Sequence, residues 1–201
     1  MDVTEWDERY AAPEYAYGTE PNDFLRAVAC QIPRGRVLCL AEGQGRNAVF
    51  LAGQGHDVVA VDQSPVGLGR ARELADAAGV SVTCVTADLA EYTIEREAFD
   101  GIVAISMHLP PALRHRVYRG AVEGLRPGGV VILEAYTPRQ LGRGTGGPPV
   151  EELLVPPQAV AEGFAGLDFL LFQEVEREIA EGRYHRGLSA TVQLLARKPS
   201  T

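Results

Sequence analysis

Two glycines and the residues around them have the clearest chemical use. In the stretch VLCLAEGQGRNAVFLA, residues 37–52, Gly43 and Gly45 fall between an apolar run and a helical pattern. A turn without side chains lets the backbone approach a ligand closely, and the amides that open a helix face the same place. The pattern predicts a ligand-binding turn, with a merely tight turn as the structural alternative.

Two carboxylates follow the next two apolar runs. Asp62 comes about twenty residues after the glycines, where an acid is placed to hold ribose hydroxyls. Asp88 ends a third run and is expected at the same sheet edge, where it is placed to accept from an adenine amino group. Both also fit as helix N-caps. A nucleoside ligand is predicted, and its identity stays open because G-x-G-x-x-A is also a weak dinucleotide fingerprint.

Short apolar runs alternate with helical patterns over the first two thirds of the chain. Strands are predicted at 37–41, 58–61, 82–86, 101–105 and 130–134, and helices at 46–54, 66–78 and 111–125. Repeated strand–helix–strand units give right-handed crossovers and a parallel sheet covered on both faces. The turn LRPGG, residues 125–129, leads into the fifth strand. The predicted fold is therefore a doubly wound, Rossmann-like α/β sheet.

The end of the chain has a different pattern. Segments 167–179 and 185–197 have only a short turn around Glu181 and Gly182 between them. The second segment alternates apolar and polar residues, which is typical of a strand. We therefore expect an antiparallel C-terminal hairpin on an otherwise parallel sheet.

Composition excludes several functions. The formal net charge is -8 and no basic run is present, so a nucleic-acid partner is not expected. No apolar run approaches the roughly 20 residues of a membrane helix, and the N-terminus is unlike a secretory signal. A cytoplasmic protein without a membrane partner is predicted. Cys30, Cys39 and Cys84 lack metal-ligand spacing, so no metal is expected and all three are predicted to be buried.

The ordered motifs resemble the class I S-adenosylmethionine-dependent methyltransferases. That family has a seven-stranded sheet ending in a reversed hairpin, and the likeness spans residues 35–198. EGQGRN at 42–47, YAYGTEPNDF at 15–24 and LLARK at 194–198 resemble the tellurite-resistance methyltransferases and their thiopurine-type relatives. Glu42, in the loop, suits a sulfonium better than a pyrophosphate. Cys39 and Ala41 stand where many relatives carry Asp and Gly, and Glu42 is our candidate for the missing acid.

The resemblance implies a cofactor site for S-adenosylmethionine. It assigns methionine contacts to Ala41, Glu42, Gly43 and Gly45, ribose contacts to Asp62 and Gln63, adenine contacts to Asp88 and Leu89, and the sulfonium lining to Ser106. Tyr17, Arg46 and Asn47 complete the predicted cofactor set. The alternatives are core packing for Tyr17 and a plain helix start for Arg46 and Asn47.

Three segments are candidates for the methyl-acceptor site. The first is 15–24, named here the N-terminal lid, which is expected to fold over the cofactor. The second is SMHLPP, 106–111, in which His108 is a candidate base or substrate donor. The third is the glycine-rich loop 136–149, whose length suggests function. A cationic pocket is predicted from Arg139 and Arg143 in this loop together with Arg183, His185 and Arg186 at the hairpin. The alternative is that these are solvated surface charges. The candidate catalytic residues are His108 and Arg143.

The sequence therefore predicts methyl transfer to a small acceptor, a thiol or chalcogen oxyanion, by a monomer or homodimer. We expect a single domain over 1–201, divided into an N-terminal lid and helix (1–34), a cofactor core (35–135), a substrate loop (136–157) and a closing helix and hairpin (158–201). A nicotinamide-dependent oxidoreductase is the alternative enzyme. A non-catalytic S-adenosylmethionine-binding protein is the alternative from another class.

Overall fold

A seven-stranded mixed sheet organises residues 3–200, which the computed structural model describes. Its strands are β1 Arg36–Leu40, β2 Asp57–Asp62, β3 Thr83–Thr86, β4 Phe99–Ile105, β5 Leu125–Tyr136, β6 Asp168–Glu181 and β7 His185–Arg197. Their order is β3-β2-β1-β4-β5-β7-β6. The first five strands are parallel, and β7 runs antiparallel to both β5 and β6. The predicted fold class, with its reversed hairpin, is confirmed.

Six α-helices connect or precede the strands of this described part. They are α1 Val3–Tyr10, α2 Asp23–Val28, α3 Arg46–Gly53, α4 Pro65–Ala78, α5 Pro111–Gly124 and α6 Pro157–Gly163. Local signals set their ends: the Ser64 hydroxyl accepts from Gly67 N at the start of α4, and Gly79, with φ +68°, ends it. No helix of residues 3–200 is both long enough and apolar enough to span a bilayer. The same residues contain no group of three or more acidic, histidine or cysteine side chains arranged to bind a metal.

Strand side chains alternate between two apolar cores. Leu38 and Leu40 face the cluster that contains residues of α5 and α6, whereas Val37 and Cys39 face the cluster that contains residues of α2, α3 and α4. Successive side chains of a strand point to opposite faces, so a sheet covered on both faces needs apolar residues at every position. This is why the runs that predicted strands are continuous rather than alternating.

Three details differ from the expectations. The segment 125–129 belongs to β5 and not to a separate turn: Phe99 pairs with Leu125 and Gly101 with Val130, so the residues between form a bulge. Cys30 is exposed, whereas Cys39 is buried and Cys84 half-buried. Ser189, Thr191 and Gln193 of β7 are buried, whereas Leu188, expected on the apolar face, is exposed.

Candidate cofactor and acceptor site

Two strained turns mark the carboxyl edge of the sheet. Ala41 directly follows β1 and has φ +51°, and Ser106 directly follows β4 and has φ +55°. The left-handed region costs an L-residue about 1–2 kcal/mol, and such residues cluster at ligand sites. Strands β1 and β4 are neighbours from which the chain winds in opposite directions, which is where doubly wound sheets bind ligands. Both predicted residues therefore lie at the switch point of the sheet.

The glycine turn is closely packed against other parts of the chain. Gly45 has φ +88°, and a Cβ there would lie 2.5 Å from Ala71 Cβ in α4. Gly43 has φ +60°, and a Cβ there would lie 2.6 Å from the Tyr10 hydroxyl oxygen. Glycine is therefore required at Gly45, where the obstructing atoms belong to the body of a helix, and is favoured at Gly43 by its positive φ and by the nearby Tyr10 side chain. Tyr10, at the end of α1, closes over the turn, a contact that the sequence did not predict.

Glu42 joins the turn to the start of α3. Its Oε1 accepts from the backbone N–H groups of Asn47 (3.0 Å) and Ala48 (2.8 Å), which are among the unpaired donors that open the helix. Burial raises the pKa of Glu42 to about 7, and the negative charge of Asp62 adds to the rise. This carboxyl group is thus a titratable group at the centre of the predicted methionine site.

Asp62 fixes the same turn to the end of β2. Its Oδ2 accepts from Gly43 N and its Oδ1 from Ser64 N, each at 2.8 Å, and the side chain is buried. Burial raises its pKa, while these backbone donors oppose the rise. A carboxylate offers about four lone-pair sites, so each oxygen keeps one for a ligand hydroxyl. Gln63, beside it, is half-buried.

The two residues predicted to contact adenine follow β3 at the carboxyl edge of the sheet. Leu89 is buried in the core cluster next to α5, and Asp88 is exposed. The Asp88 Oδ1 accepts from Ala90 N at 2.7 Å, so this side chain also stabilises its own turn. A backbone bond from Ala87 N to Asp62 O (2.9 Å) ties the two acidic turns together.

The N-terminal lid packs across the glycine turn and the tip of the hairpin. Ala16 N donates to Gln44 Oε1 at 2.7 Å, and Asn22 N donates to Asn47 Oδ1 at 2.9 Å. A Cβ at Gly182 would lie 2.5 Å from Ala16 O, so only glycine lets the hairpin turn approach the lid this closely. Tyr17 accepts from the Arg9 guanidinium at 2.8 Å. Asn47 thus contacts the lid at the start of α3, and the cofactor roles of Tyr17 and Asn47 stay predictions.

A buried ionic network lies beneath the lid. Arg46 donates to Glu181 Oε2 at 2.5 Å, and both side chains are less than a tenth exposed. Arg177 donates to Glu134 at 2.6 Å and approaches Glu181 at 3.3 Å, while Asn22 Nδ2 donates to both carboxylates. Ionic partners hold the pKa of Glu181 far below its ordinary value against the effect of burial. Arg46 therefore links α3 to the hairpin through a buried ion pair. A residue that only starts a helix would not need this contact.

A row of aromatic rings extends from the end of β4 to the lid. The His108 ring stacks on the Tyr136 ring with 5.7 Å between the ring centroids. The Tyr136 and His185 rings meet edge-on with 5.1 Å between their centroids. Tyr17 of the lid lies 4.5 Å from His185. His108, Tyr136 and His185 are named here the ring row. The sequence indicated the two histidines individually, whereas Tyr136 was included only as the first residue of the candidate loop 136–149.

The predicted cationic pocket is not assembled. Arg139 and Arg143 both pair with the Glu176 carboxylate on β6, and Arg143 also donates to Arg139 O at 2.9 Å. Arg183 and Arg186 are exposed at the hairpin. These side chains are paired or exposed at the surface, which agrees with the alternative interpretation, surface charges, rather than with a cationic pocket. These contacts hold Arg143 against β6 and its own loop rather than against the ring row. The catalytic role of Arg143 stays a prediction.

Comparison with known proteins agrees with this geometry. Residues 37–129 match the family profile of a methyltransferase domain. This segment is therefore similar to a methyltransferase domain. A curated relative, carboxy-S-adenosyl-L-methionine synthase of Geobacter metallireducens, is 41% identical over 80 residues, which cover 38% of this chain and 33% of the relative. The chain thus spans about a third of the length of the curated relatives it matches.

Solved structures share the fold of this chain. A structure described by the conversion of a disulfide bond into a thioacetal group during echinomycin biosynthesis has a TM-score of 0.75 and 20% identity, covering 100% of this chain and 91% of that one. TehB from Haemophilus influenzae has a TM-score of 0.72 and 22% identity, covering 88% and 61%. N-methyltransferase NodS from Bradyrhizobium japonicum WM9, in complex with S-adenosyl-L-homocysteine, has a TM-score of 0.72 and 16% identity, covering 98% of both chains.

Proposed function

We propose that this protein transfers a methyl group from S-adenosylmethionine to a small acceptor, a thiol or a chalcogen oxyanion. The observation that carries the proposal is the pair of strained turns, Ala41 and Ser106, at the switch point of a sheet, in a segment similar to a methyltransferase domain. A strained, glycine-rich turn beside a helix start is suited to hold a ligand against the backbone.

The residues at this edge fit the proposed cofactor. The backbone of 41–45 would hold the methionine portion, the free lone pairs of Asp62 the ribose hydroxyls, and Leu89 with Asp88 the adenine. Glu42 supplies a carboxyl group, and the positive charge of Arg46 favours its ionised form. When bound, S-adenosylmethionine supplies an electrophilic methyl group on its sulfonium.

The chain's contribution to the reaction is alignment and exclusion of water. In-line displacement gains most from holding the reacting atoms in contact at the correct angle. Tyr10 over the glycine turn and the N-terminal lid over the hairpin supply the cover. A thiolate acceptor or an oxyanion needs no further base, whereas a protonated acceptor needs a group that takes its proton.

The structural neighbours support both classes of acceptor. The echinomycin structure concerns sulfur chemistry, which favours a thiol. TehB supports the resemblance to the tellurite group, which favours a chalcogen oxyanion. The names of the curated relatives point to a second candidate reaction, in which the cofactor itself is carboxylated. Mass spectrometry of the nucleoside products separates the two, since methyl transfer yields S-adenosylhomocysteine and carboxylation yields a heavier sulfonium. The antiparallel hairpin argues against the oxidoreductase alternative.

Calorimetric titration with S-adenosylhomocysteine, with NAD as the comparison ligand, tests the proposal. We expect micromolar binding of the first, about -8 kcal/mol, and none of the second. Asp62→Asn should weaken binding about 10-fold to 100-fold, because a charge-assisted hydrogen bond contributes about 1.5–3 kcal/mol. Asp57→Asn, at the exposed start of the same strand, is the matched control and should bind as the wild type does. Failure of the wild type to bind S-adenosylhomocysteine would overturn the proposed function.

A further inference from the structure

Two buried polar atoms of the ring row lack a hydrogen-bond partner within residues 3–200. They are His108 Nε2 and Tyr136 Oη. His185 Nδ1, in contrast, faces the Glu181 carboxylate, with Oε2 at 3.8 Å. An unpaired buried polar group costs about 1–3 kcal/mol, and natural proteins rarely retain two together without a use. His108 of the ring row follows Ser106 by two residues, just beyond the strained turn at the end of β4.

The backbone sets the tautomer of His108. Its Nδ1 lies 3.0 Å from the carbonyl oxygen of Leu153. A carbonyl oxygen only accepts, so Nδ1 carries the proton and Nε2 presents a lone pair. Burial lowers the pKa of His108 to about 4, and the charges of His185 and Arg114 act in the same direction, so the ring stays neutral near pH 7.

Tyr136 provides the complementary group. Burial raises the pKa of its hydroxyl far above the ordinary value, and the carboxylates of Glu181 and Glu134 add to the rise. The hydroxyl therefore stays protonated and available to donate. An unpaired donor on one ring thus stands beside an unpaired acceptor on the ring that stacks with it.

We propose that the ring row is the acceptor pocket and selects a protic nucleophile, a thiol, over an oxyanion. The proposal rests on the proposed methyl transfer. A thiol donates its S–H to His108 Nε2 and accepts from Tyr136 Oη, so both unpaired atoms are satisfied. An oxyanion would bring a negative charge into a buried site whose two unpaired groups, a neutral imidazole and a phenol, carry no positive charge to balance it.

The transfer then balances without a further reactant. The acceptor sulfur forms a bond to the methyl carbon as the bond from that carbon to the cofactor sulfonium breaks. The S–H proton passes to His108 Nε2 and then to solvent, and the products are a methyl thioether and S-adenosylhomocysteine. A sulfur bonded to carbon, methyl and hydrogen carries a positive charge and is strongly acidic, so a weak neutral base suffices.

The glycine-rich loop covers this pocket. A Cβ at Gly146 would lie 2.6 Å from the Tyr136 hydroxyl oxygen and 2.9 Å from His185 Cδ2, and one at Gly147 would lie 2.9 Å from the Tyr136 ring. Both glycines have positive φ. Loop residues without side chains thus lie directly on the ring row, and an acceptor enters when this loop lifts.

Methyl transfer is measured for two alkyl thiols, 2-mercaptoethanol and phenylmethanethiol, and for tellurite and selenite, with S-adenosylmethionine as donor. We expect methylation of a thiol and none of the oxyanions. His108→Phe should lower the kcat for the thiol about 100-fold, the lower end of general-base effects, with S-adenosylhomocysteine affinity unchanged. His108→Gln, whose amide oxygen can accept at the Nε2 position, should recover part of that loss. His115→Gln, at an exposed position of α5, is the matched control and should leave kcat unchanged.

Each other outcome decides a separate point. Oxyanion methylation at or above the thiol rate, thiol turnover by His108→Phe at the wild-type rate, or cofactor binding with no thiol turnover overturns the ring-row assignment. Absence of S-adenosylhomocysteine binding by the wild type overturns the proposed function itself. Calorimetry and the methyl-transfer assay therefore distinguish the two failures.

Discussion

The carboxyl group of Glu42 should make the ligand-free protein less stable as the pH rises. Its pKa is about 7 in the folded chain against the ordinary 4.5, so between these values the folded state keeps a proton that the unfolded state has lost. Stability then falls across this window, by up to about 3 kcal/mol when the difference is converted at 1.36 kcal/mol per pH unit. The stability is fully present below pH 4.5 and is lost as the pH rises through 7.

Glu42→Gln tests this reasoning, because the amide is uncharged and its oxygen can still accept from the backbone of Asn47 and Ala48. We expect the variant to match the wild type near pH 4 and to exceed its free energy of unfolding by about 3 kcal/mol at pH 8. Urea unfolding between pH 4 and 8 measures the difference. Glu151→Gln, at an exposed position, is the control.

The same variant should bind S-adenosylhomocysteine less tightly at pH 8, because the amino group of the ligand loses a carboxylate. The stability and binding effects have opposite signs, which separates them from a general loss of folding. A stability difference between Glu42→Gln and wild type that is the same at pH 4 and pH 8 would refute the reasoning. Unchanged binding would remove Glu42 from the cofactor site.

Three further results are expected. Arg46→Ala, which removes a buried partner of Glu181, should cost about 3 kcal/mol in chemical unfolding, whereas Arg26→Ala, in an exposed pair, should cost under about 1 kcal/mol; equal costs would contradict a buried network. Gly45→Ala should destabilise by about 2 kcal/mol or more through overlap with α4, whereas Gly53→Ala, with open space around it, should stabilise by about 0.5–1 kcal/mol. Hydrogen exchange should slow in the N-terminal lid when S-adenosylhomocysteine binds, and equal protection with and without ligand would disprove ordering of the lid.

The element order and the glycine turn were predictable because their signals are local. Continuous apolar runs, helical periodicity and glycines at helix ends act over a few residues, and the C-terminal alternation predicted the reversed hairpin. The position of Asp62 follows from the same logic, since parallel strands bring their carboxyl ends to one edge. These features need no knowledge of which distant residues meet.

The contacts that complete the site were not predictable in this way. Glu134 lies in an apolar strand, and nothing local indicates that Arg177 and Asn22 from opposite ends of the chain pair with it. The partner of Arg143 is likewise set by the register of the hairpin, which places Glu176 beside it. Tyr10 reaches the glycine turn only because α1 packs against α4. Each depends on the packing of elements far apart in sequence.

The network under the N-terminal lid has a consequence for how that lid opens. Two arginines and two glutamates, Arg46, Arg177, Glu134 and Glu181, neutralise one another on α3, β5 and β6. The lid's buried contribution is the neutral amide of Asn22, and its charged contact, Asp23 to Arg177, is exposed and weak. Opening therefore breaks hydrogen bonds from a neutral amide to these carboxylates and leaves the buried ion pairs intact. Ligand exchange should depend little on ionic strength, even though the N-terminal lid lies above four charged side chains.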